Sequence, residues 1–185
     1  MWSHSELLAL RRAIGTRSVV LVGMMGAGKS SVGRRLAARL QLPFVDSDRM
    51  VEDAAQLSIQ EIFGYYGEAA FRDCERRVIA RLLETPSQVI ALGGGAWISA
   101  ETRGAVAARG ISVWLDVNPA TLLERVQRRS SRPLLRNEDP AAVLAKLDLE
   151  RRPVYALADI HMKIESGPHD RVVTDLIQAL SFELM

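Results

Sequence analysis

The stretch that most constrains this chain is Gly23-Met-Met-Gly26-Ala-Gly28-Lys29-Ser30, set directly after the run Ser18-Val-Val-Leu-Val22. That run is continuous, apolar and β-branched, which predicts a strand buried on both faces of a parallel sheet. Beyond the loop, Val32, Leu36 and Leu40 recur at i, i+4 and i+8, which predicts a helix from Lys29 with its inner face on the sheet. The loop matches G-x-x-x-x-G-K-[ST] at the strand-to-helix junction that this motif requires. Its glycines let successive N–H groups turn toward phosphate oxygens, and the helix adds its positive N-terminal end. Lys29 is then placed to bridge β and γ phosphates, and the Ser30 hydroxyl to ligate Mg²⁺. The competing reading is a glycine-rich turn that binds nothing. It leaves unexplained why one of only three lysines in the chain (with Lys146 and Lys163) stands at the motif's lysine position. A dinucleotide fingerprint is excluded, because neither this loop nor Gly93–Gly95 gives G-x-G-x-x-G.

The same alternation of strand and helix signals continues along the 185 residues. Phe44-Val45, Val89–Leu92, Ile111–Leu115 and Ile160–Ile164 read as four further strands. Ser58-Ile-Gln-Glu61 is a capping box, and Asn118-Pro119 and Asp139-Pro140 each supply a helix N-cap followed by proline. Phe71, Cys74, Val78, Ile79 and Leu82 are expected on one helical face, with Cys74 as a small core hydrophobe rather than a nucleophile. Val172, Val173, Leu176, Ile177 and Leu180 mark a closing helix. Strands separated by helices predict an α/β fold, with a parallel sheet covered by helices on both faces. Residues 1–17 read as an N-terminal helical extension and 18–185 as a single domain.

A second group of residues points to what receives a phosphate. Asp46 and Asp48 follow the second strand, and in extended chain residues i and i+2 project to the same side. One carboxylate is suited to organise a metal's water shell, the other to take a hydroxyl proton. The plainer alternative is an exposed turn with capping aspartates. Gly93, Gly94 and Gly95 follow the third strand, where three glycines suit close approach of a ligand to backbone better than any regular element.

Charge composition bears on the partner. Lys plus Arg number 24 against 22 Asp plus Glu, and all but three of the basic residues are arginine. A net charge of +2 does not by itself imply nucleic-acid binding. Arg125, Arg128, Arg129, Arg132 and Arg136 form an acid-free cluster without interleaved aromatics, which argues against a single-strand groove. A mobile lid over about 125–138 that closes on phosphates explains the cluster, and a solvated basic face is the plain alternative. No run approaches the roughly 18 apolar residues of a membrane span. The single cysteine, Cys74, cannot form an internal disulfide, so a cytoplasmic setting is expected. A monomer with no nucleic-acid or membrane partner is expected as well.

Taken in order, these blocks resemble the shikimate kinase family from about Val19 to Leu180. The resemblance rests on Gly23–Ser30 with Gly33-Arg34 and Leu36-Ala37, and on Asp46-x-Asp48. It continues through Gly67-Glu68 with Phe71-Arg72 and Glu75, Gly93–Gly95, Arg132-Pro133-Leu134-Leu135, and Arg151 with Pro153 and Tyr155. It implies a three-layer P-loop fold like the nucleoside monophosphate kinases, with a five-stranded parallel sheet in order 2-3-1-4-5 and a lid. It implies transfer of the ATP γ-phosphate to the 3-hydroxyl of shikimate, in aromatic amino-acid biosynthesis, with Mg²⁺ as cofactor.

Matched by motif, Gly26, Ala27, Gly28, Lys29, Ser30 and Ser31 lie around the phosphates, with Arg132 from the lid and Arg125 stacked on adenine. Ser30 and, through water, Asp46 serve the metal, while Asp48 holds substrate hydroxyls and acts as base. Arg72 and Arg151 grip the shikimate carboxylate, and Gly93, Gly94 and Gly95 line the same pocket. Lys29, Asp48 and Arg132 are thus the expected catalytic set. Residues 1–17 and the loop around Glu165–His169 depart from the family pattern. Residues alone stop at a kinase of small hydroxy acids, with gluconate as the other acceptor; a nucleotide-binding sensor or inactive relative is the reading outside enzymes.

Overall fold

The structure is a computed structural model that describes residues 2–127, 139–165 and 168–185. Five parallel strands form one sheet in the order β2-β3-β1-β4-β5, as the family resemblance implied. They are β1 Ser18–Val22, β2 Phe44–Asp46, β3 Val89–Ala91, β4 Gly110–Val117 and β5 Ile160–Ile164. The helices are α1 His4–Ile14, α2 Lys29–Leu40, α3 Ser47–Ala55, α4 Ile59–Glu84, α5 Ala100–Arg109, α6 Pro119–Gln127, α7 Pro140–Tyr155 and α8 His169–Leu184. No helix among the described residues is long and apolar enough to cross a membrane.

Burial follows from position in the sheet. All five residues of the central β1 are buried, because helices cover both of its faces. The edge strand β5 instead alternates, with Ile160, Met162 and Ile164 inside and His161 and Lys163 outside. Val32, Leu36 and Leu40 of α2 are buried as their spacing predicts. Leu10 and Ile14 carry α1 into this same main core, where it packs with α2 and α8. The capping boxes at Ser3–Glu6 and Ser58–Glu61 are both formed, and Asn118 and Asp139 cap α6 and α7 through their side-chain oxygens.

The helix α4 departs from the expected face. Its buried row is Phe71, Glu75, Ile79 and Leu83, four residues apart, while Cys74, Val78 and Leu82 of the expected face are only half-buried. Cys74 lies half-buried against a smaller apolar cluster of Val51, Ile62 and Phe71 that joins α3 to α4. Gly67 breaks α4 with φ 79° and ψ 174°, a conformation that an L side chain rarely adopts. The break separates the first two turns of α4, which floor one cavity, from the long half that packs on α5.

Candidate active site

The loop after β1 closes into α2 through Gly28, which adopts φ +92° as the residue preceding the helix. Lys29 Nζ donates to the carbonyls of Gly23 (2.7 Å) and Met24 (2.9 Å), so the ammonium lies across the mouth of its own loop. Gly26, Gly28, Lys29, Ser30 and Ser31 line a cavity of about 280 Å³. Ala27 is in the loop but turns its methyl into the core. Two further arginines, Arg34 and Arg49, line the same cavity, and neither was expected there. Arg125 lies over the loop with Nη1 near the carbonyls of Gly26 (3.4 Å) and Ala27 (3.5 Å), while His169 comes up beside Gly28.

Across this cavity, Ser30 Oγ donates to Asp46 Oδ2 at 2.6 Å. The expected extended geometry for Asp46 and Asp48 is corrected. The strand β2 is three residues long and turns straight into α3, so Asp46 is the N-cap and Asp48 lies in the first helical turn. Asp46 Oδ1 accepts the Asp48 N–H at 3.2 Å. Both carboxylates still line the loop's cavity, because the helix start aims them there and favours negative charge at its positive end.

The triple glycine packs directly on these groups. The Gly93 N–H donates to the buried Ser47 hydroxyl at 2.9 Å. A Cβ on Gly93 would collide with Asp48 Oδ1 and lie 2.9 Å from Glu75 Oε1, and one on Gly95 would lie 2.7 Å from both terminal nitrogens of Arg72. Gly94 offers its carbonyl to the Tyr155 hydroxyl and, at 3.4 Å, to Arg151 Nη1. Close approach of side chains to backbone is therefore the reason for Gly93 and Gly95, while a Cβ on Gly94 would meet only the loop backbone, 3.4 Å from Met25 N.

Arg72 Nη1 donates to Glu75 Oε2 at 2.8 Å, while its Nε and Nη2 reach Glu68 Oε1 at 3.3 and 3.2 Å. Burial works against the Arg72 charge, but the hydrogen bonds and charges of Glu75 and Glu68 outweigh it and hold the guanidinium above its ordinary value. Glu75 is 2% exposed, and its Oε1 has no hydrogen-bond partner. Burial pushes its carboxyl above the usual carboxylate range; Arg72 pulls it back in part and Asp48 adds to the rise. Burial likewise raises the Tyr155 hydroxyl, which keeps it a donor.

Asp48, Arg72, Glu75, Gly94, Gly95 and Arg151 together line a second cavity of about 500 Å³, floored by apolar Ile59, Phe63 and Phe71. It shares Met25, Asp48 and Gly94 with the cavity of the loop. Asp48 thus stands where the two spaces meet. Arg132 and the lid residues 128–138 lie outside the described residues. Ser47, Glu75 and Tyr155 were not singled out as site residues from sequence. Glu75 and Tyr155 did stand in the motif blocks that carry the family resemblance, whereas Ser47 carried no signal.

Comparison with known proteins converges on one family. The model of the family described as shikimate kinase matches residues 25–181. The shikimate kinase of Brucella canis is 47% identical over 181 residues, covering 98% of this chain and 90% of that protein. That of Rhodopseudomonas palustris is 51% identical over 177 residues, covering 96% and 86%. Among solved structures, shikimate kinase from Acinetobacter baumannii in complex with shikimate is similar with a TM-score of 0.86 and 35% identity, over 91% of this chain and 95% of that one. A gluconokinase from Sinorhizobium meliloti shares the fold at a TM-score of 0.61 with 17% identity, over 91% and 94%. With matches spanning loop, paired aspartates, triple glycine and α7 alike, the chain belongs to the shikimate kinase family.

Proposed function

We propose that the protein transfers the γ-phosphate of ATP to the 3-hydroxyl of shikimate, giving shikimate 3-phosphate and ADP, as a cytoplasmic monomer. The observation that carries this reading is the position of Asp48 on the wall common to both cavities. A donor phosphate held by the loop and an acceptor hydroxyl held in the second space meet beside its carboxylate.

In this reading Lys29 leaves the carbonyls of Gly23 and Met24 for the β and γ phosphates, which the loop N–H groups of Gly26, Ala27, Gly28, Ser30 and Ser31 also meet. Asp48 orients the acceptor hydroxyl and takes its proton as the oxygen attacks. Arg72 and Arg151 reach the second cavity from two different helices, α4 and α7, and bind the acceptor's carboxylate. Glu75 holds Arg72 in place, Gly93 and Gly95 leave room for these two side chains, and Gly94 lines the same cavity. Arg132 completes the phosphate site, with Arg125 on the nucleotide side.

The hydroxyl of Ser30 and the carboxylate of Asp46 are hard oxygen donors 2.6 Å apart on the loop's cavity, and that set fits Mg²⁺. Among the described residues no three acidic, His or Cys side chains cluster as a metal cage, so phosphate oxygens and water would complete the shell. Bound there, with Asp46 acting through water, the ion would neutralise charge on the transferring phosphate.

The test is ADP release by the purified protein with ATP and Mg²⁺, given shikimate, gluconate or no acceptor. Release dependent on shikimate is expected. Turnover of gluconate instead would replace the acceptor, and binding of ATP without acceptor-dependent release would favour a nucleotide-binding sensor.

A further inference from the structure

One set of charged groups remains outside this account. Arg152, beside Arg151 on α7, turns away from the cavities and spends its guanidinium on two carboxylates. Nη1 and Nη2 donate to Asp116 Oδ2 (3.0 Å) and Oδ1 (2.9 Å), while Nε and Nη2 donate to Asp148 Oδ2 (3.1 Å) and Oδ1 (3.4 Å). Asp116, near the end of β4, also pairs with His161 Nε2 of β5 at 2.9 Å. Its side chain is 10% exposed, so this is no ordinary surface pair. The ring of Trp114 lies under the group, stacked on His161 at 4.1 Å and 5.2 Å from the Arg152 guanidinium carbon. Trp114 also touches the position where a Cβ on Gly23 would stand, at the first residue of the phosphate loop, and stacks with Tyr155 at 6.0 Å.

The local backbone explains why α7 needs such a clamp. Pro153 lies inside the helix, so it has no N–H to give the carbonyl four residues back. The residue before a proline is also pushed away from helical conformation, and that residue is Arg152. The last turn of α7 nevertheless stays helical and carries Arg151 and Tyr155, both of which reach the Gly94 carbonyl. Successive helical residues point about 100° apart, so fixing Arg152 on β4 fixes where Arg151 points.

We propose that Arg152, through Asp116, is a positioning residue that sets the rotation of α7 and thereby holds Arg151 on the acceptor cavity and Tyr155 on the Gly94 carbonyl. The inference rests on the reading of Arg151 as a grip for the acceptor's carboxylate. The bidentate reach to Asp116, with Asp148 held at the same time, needs the planar fork of arginine, so a lysine cannot replace it.

The test compares wild type with Arg152→Gln, Arg152→Lys, Asp116→Asn, Arg151→Ala and the double variant Arg151→Ala/Arg152→Gln, measuring kcat and both KM values. Arg152→Gln and Asp116→Asn are expected to raise the KM for shikimate about tenfold, with the KM for ATP and kcat within about threefold of wild type. Arg152→Lys should not restore it. The double variant should match Arg151→Ala alone, because Arg152 acts through Arg151. An unchanged shikimate KM in Arg152→Gln beside a raised one in Arg151→Ala overturns the inference, and so does a double variant as bad as the product of the two singles. An unchanged KM in Arg151→Ala alone overturns the acceptor-site reading and the inference with it. Near-ultraviolet circular dichroism identifies folded variants, and if Arg152→Gln does not fold, Asp116→Asn decides.

Discussion

Two substitutions test the site one residue at a time. Asp48→Asn keeps the shape of the side chain on the shared wall and removes its capacity to take a proton. It is expected to lower kcat by at least ~10²-fold, with ATP affinity nearly kept, in steady-state assays and nucleotide titration. Gly95→Ala acts at one remove. Its methyl would lie 2.7 Å from Nη1 and Nη2 of Arg72, so the guanidinium must shift from its place against Glu75. A hydrogen bond to a charged group is worth about 1.5–3 kcal/mol, so the KM for shikimate should rise roughly tenfold or more while that for ATP holds. Residue identity was legible where the chemistry is contiguous, as from Gly23 to Ser30. It was less so where the side chain's role is to hold another. Glu75 stands in one of the motif blocks, but its place there does not say what it holds; its burial beside Arg72 does.

At the level of elements, the helix behind the phosphate loop sits close to the sheet because position 33 has no side chain. A Cβ there would lie 2.6 Å from Phe44 Cε2 and 3.2 Å from Leu21 Cδ1. Gly33→Ala should therefore push α2 away from β1 and β2 and cost about 1–3 kcal/mol, read as a lowered urea midpoint. Most elements could be read from local pattern: β-branched runs gave the strands, and Ser58, Asn118 and Asp139 gave helix starts. The register at Asp46 and Asp48 could not be read that way. A strand of three residues is too short to impose its alternation, and the capping preference of Asp46 turns the chain helical one residue later. Strand order was likewise absent from local pattern, since it is set by pairing between distant segments; it came from the family resemblance.

For the whole molecule, a half-buried carboxylate and a buried one set opposing trends with pH. Burial alone would raise Asp116, but the hydrogen bonds from Arg152 and His161 prevail and hold its carboxyl below the ordinary range. The unfolded chain then takes up this proton first, so the stabilisation is present above about pH 3.9 and is lost as the pH falls below it. Glu75 runs the other way. Its raised carboxyl means that the folded state takes up the proton first, and the fold gains stability as the pH drops through that range. Asp116→Asn should lower the urea midpoint at pH 7, and the gap to wild type should narrow as the pH falls below about 3.9, where the charge contribution of Asp116 begins to be lost from the wild type. A constant gap between the two across that range would show that Asp116 stabilises by packing rather than by charge.

The Gly94 carbonyl has a consequence for which molecules the second cavity admits. A carbonyl oxygen has two lone pairs, and this one already receives the Tyr155 hydroxyl and Arg151. It is saturated, so an incoming hydroxyl finds no acceptor at the middle of the glycine wall. The nearby acceptors are the carboxylates of Asp48 and of Glu75, whose Oε1 has no partner. Under the proposed function the pocket would therefore select for hydroxyls as well as for charge. A carboxylic acid of the right size that lacks a donor on the face toward α4 would then satisfy Arg72 and Arg151 while leaving the buried Glu75 Oε1 unmet, and weaker binding is expected on that ground.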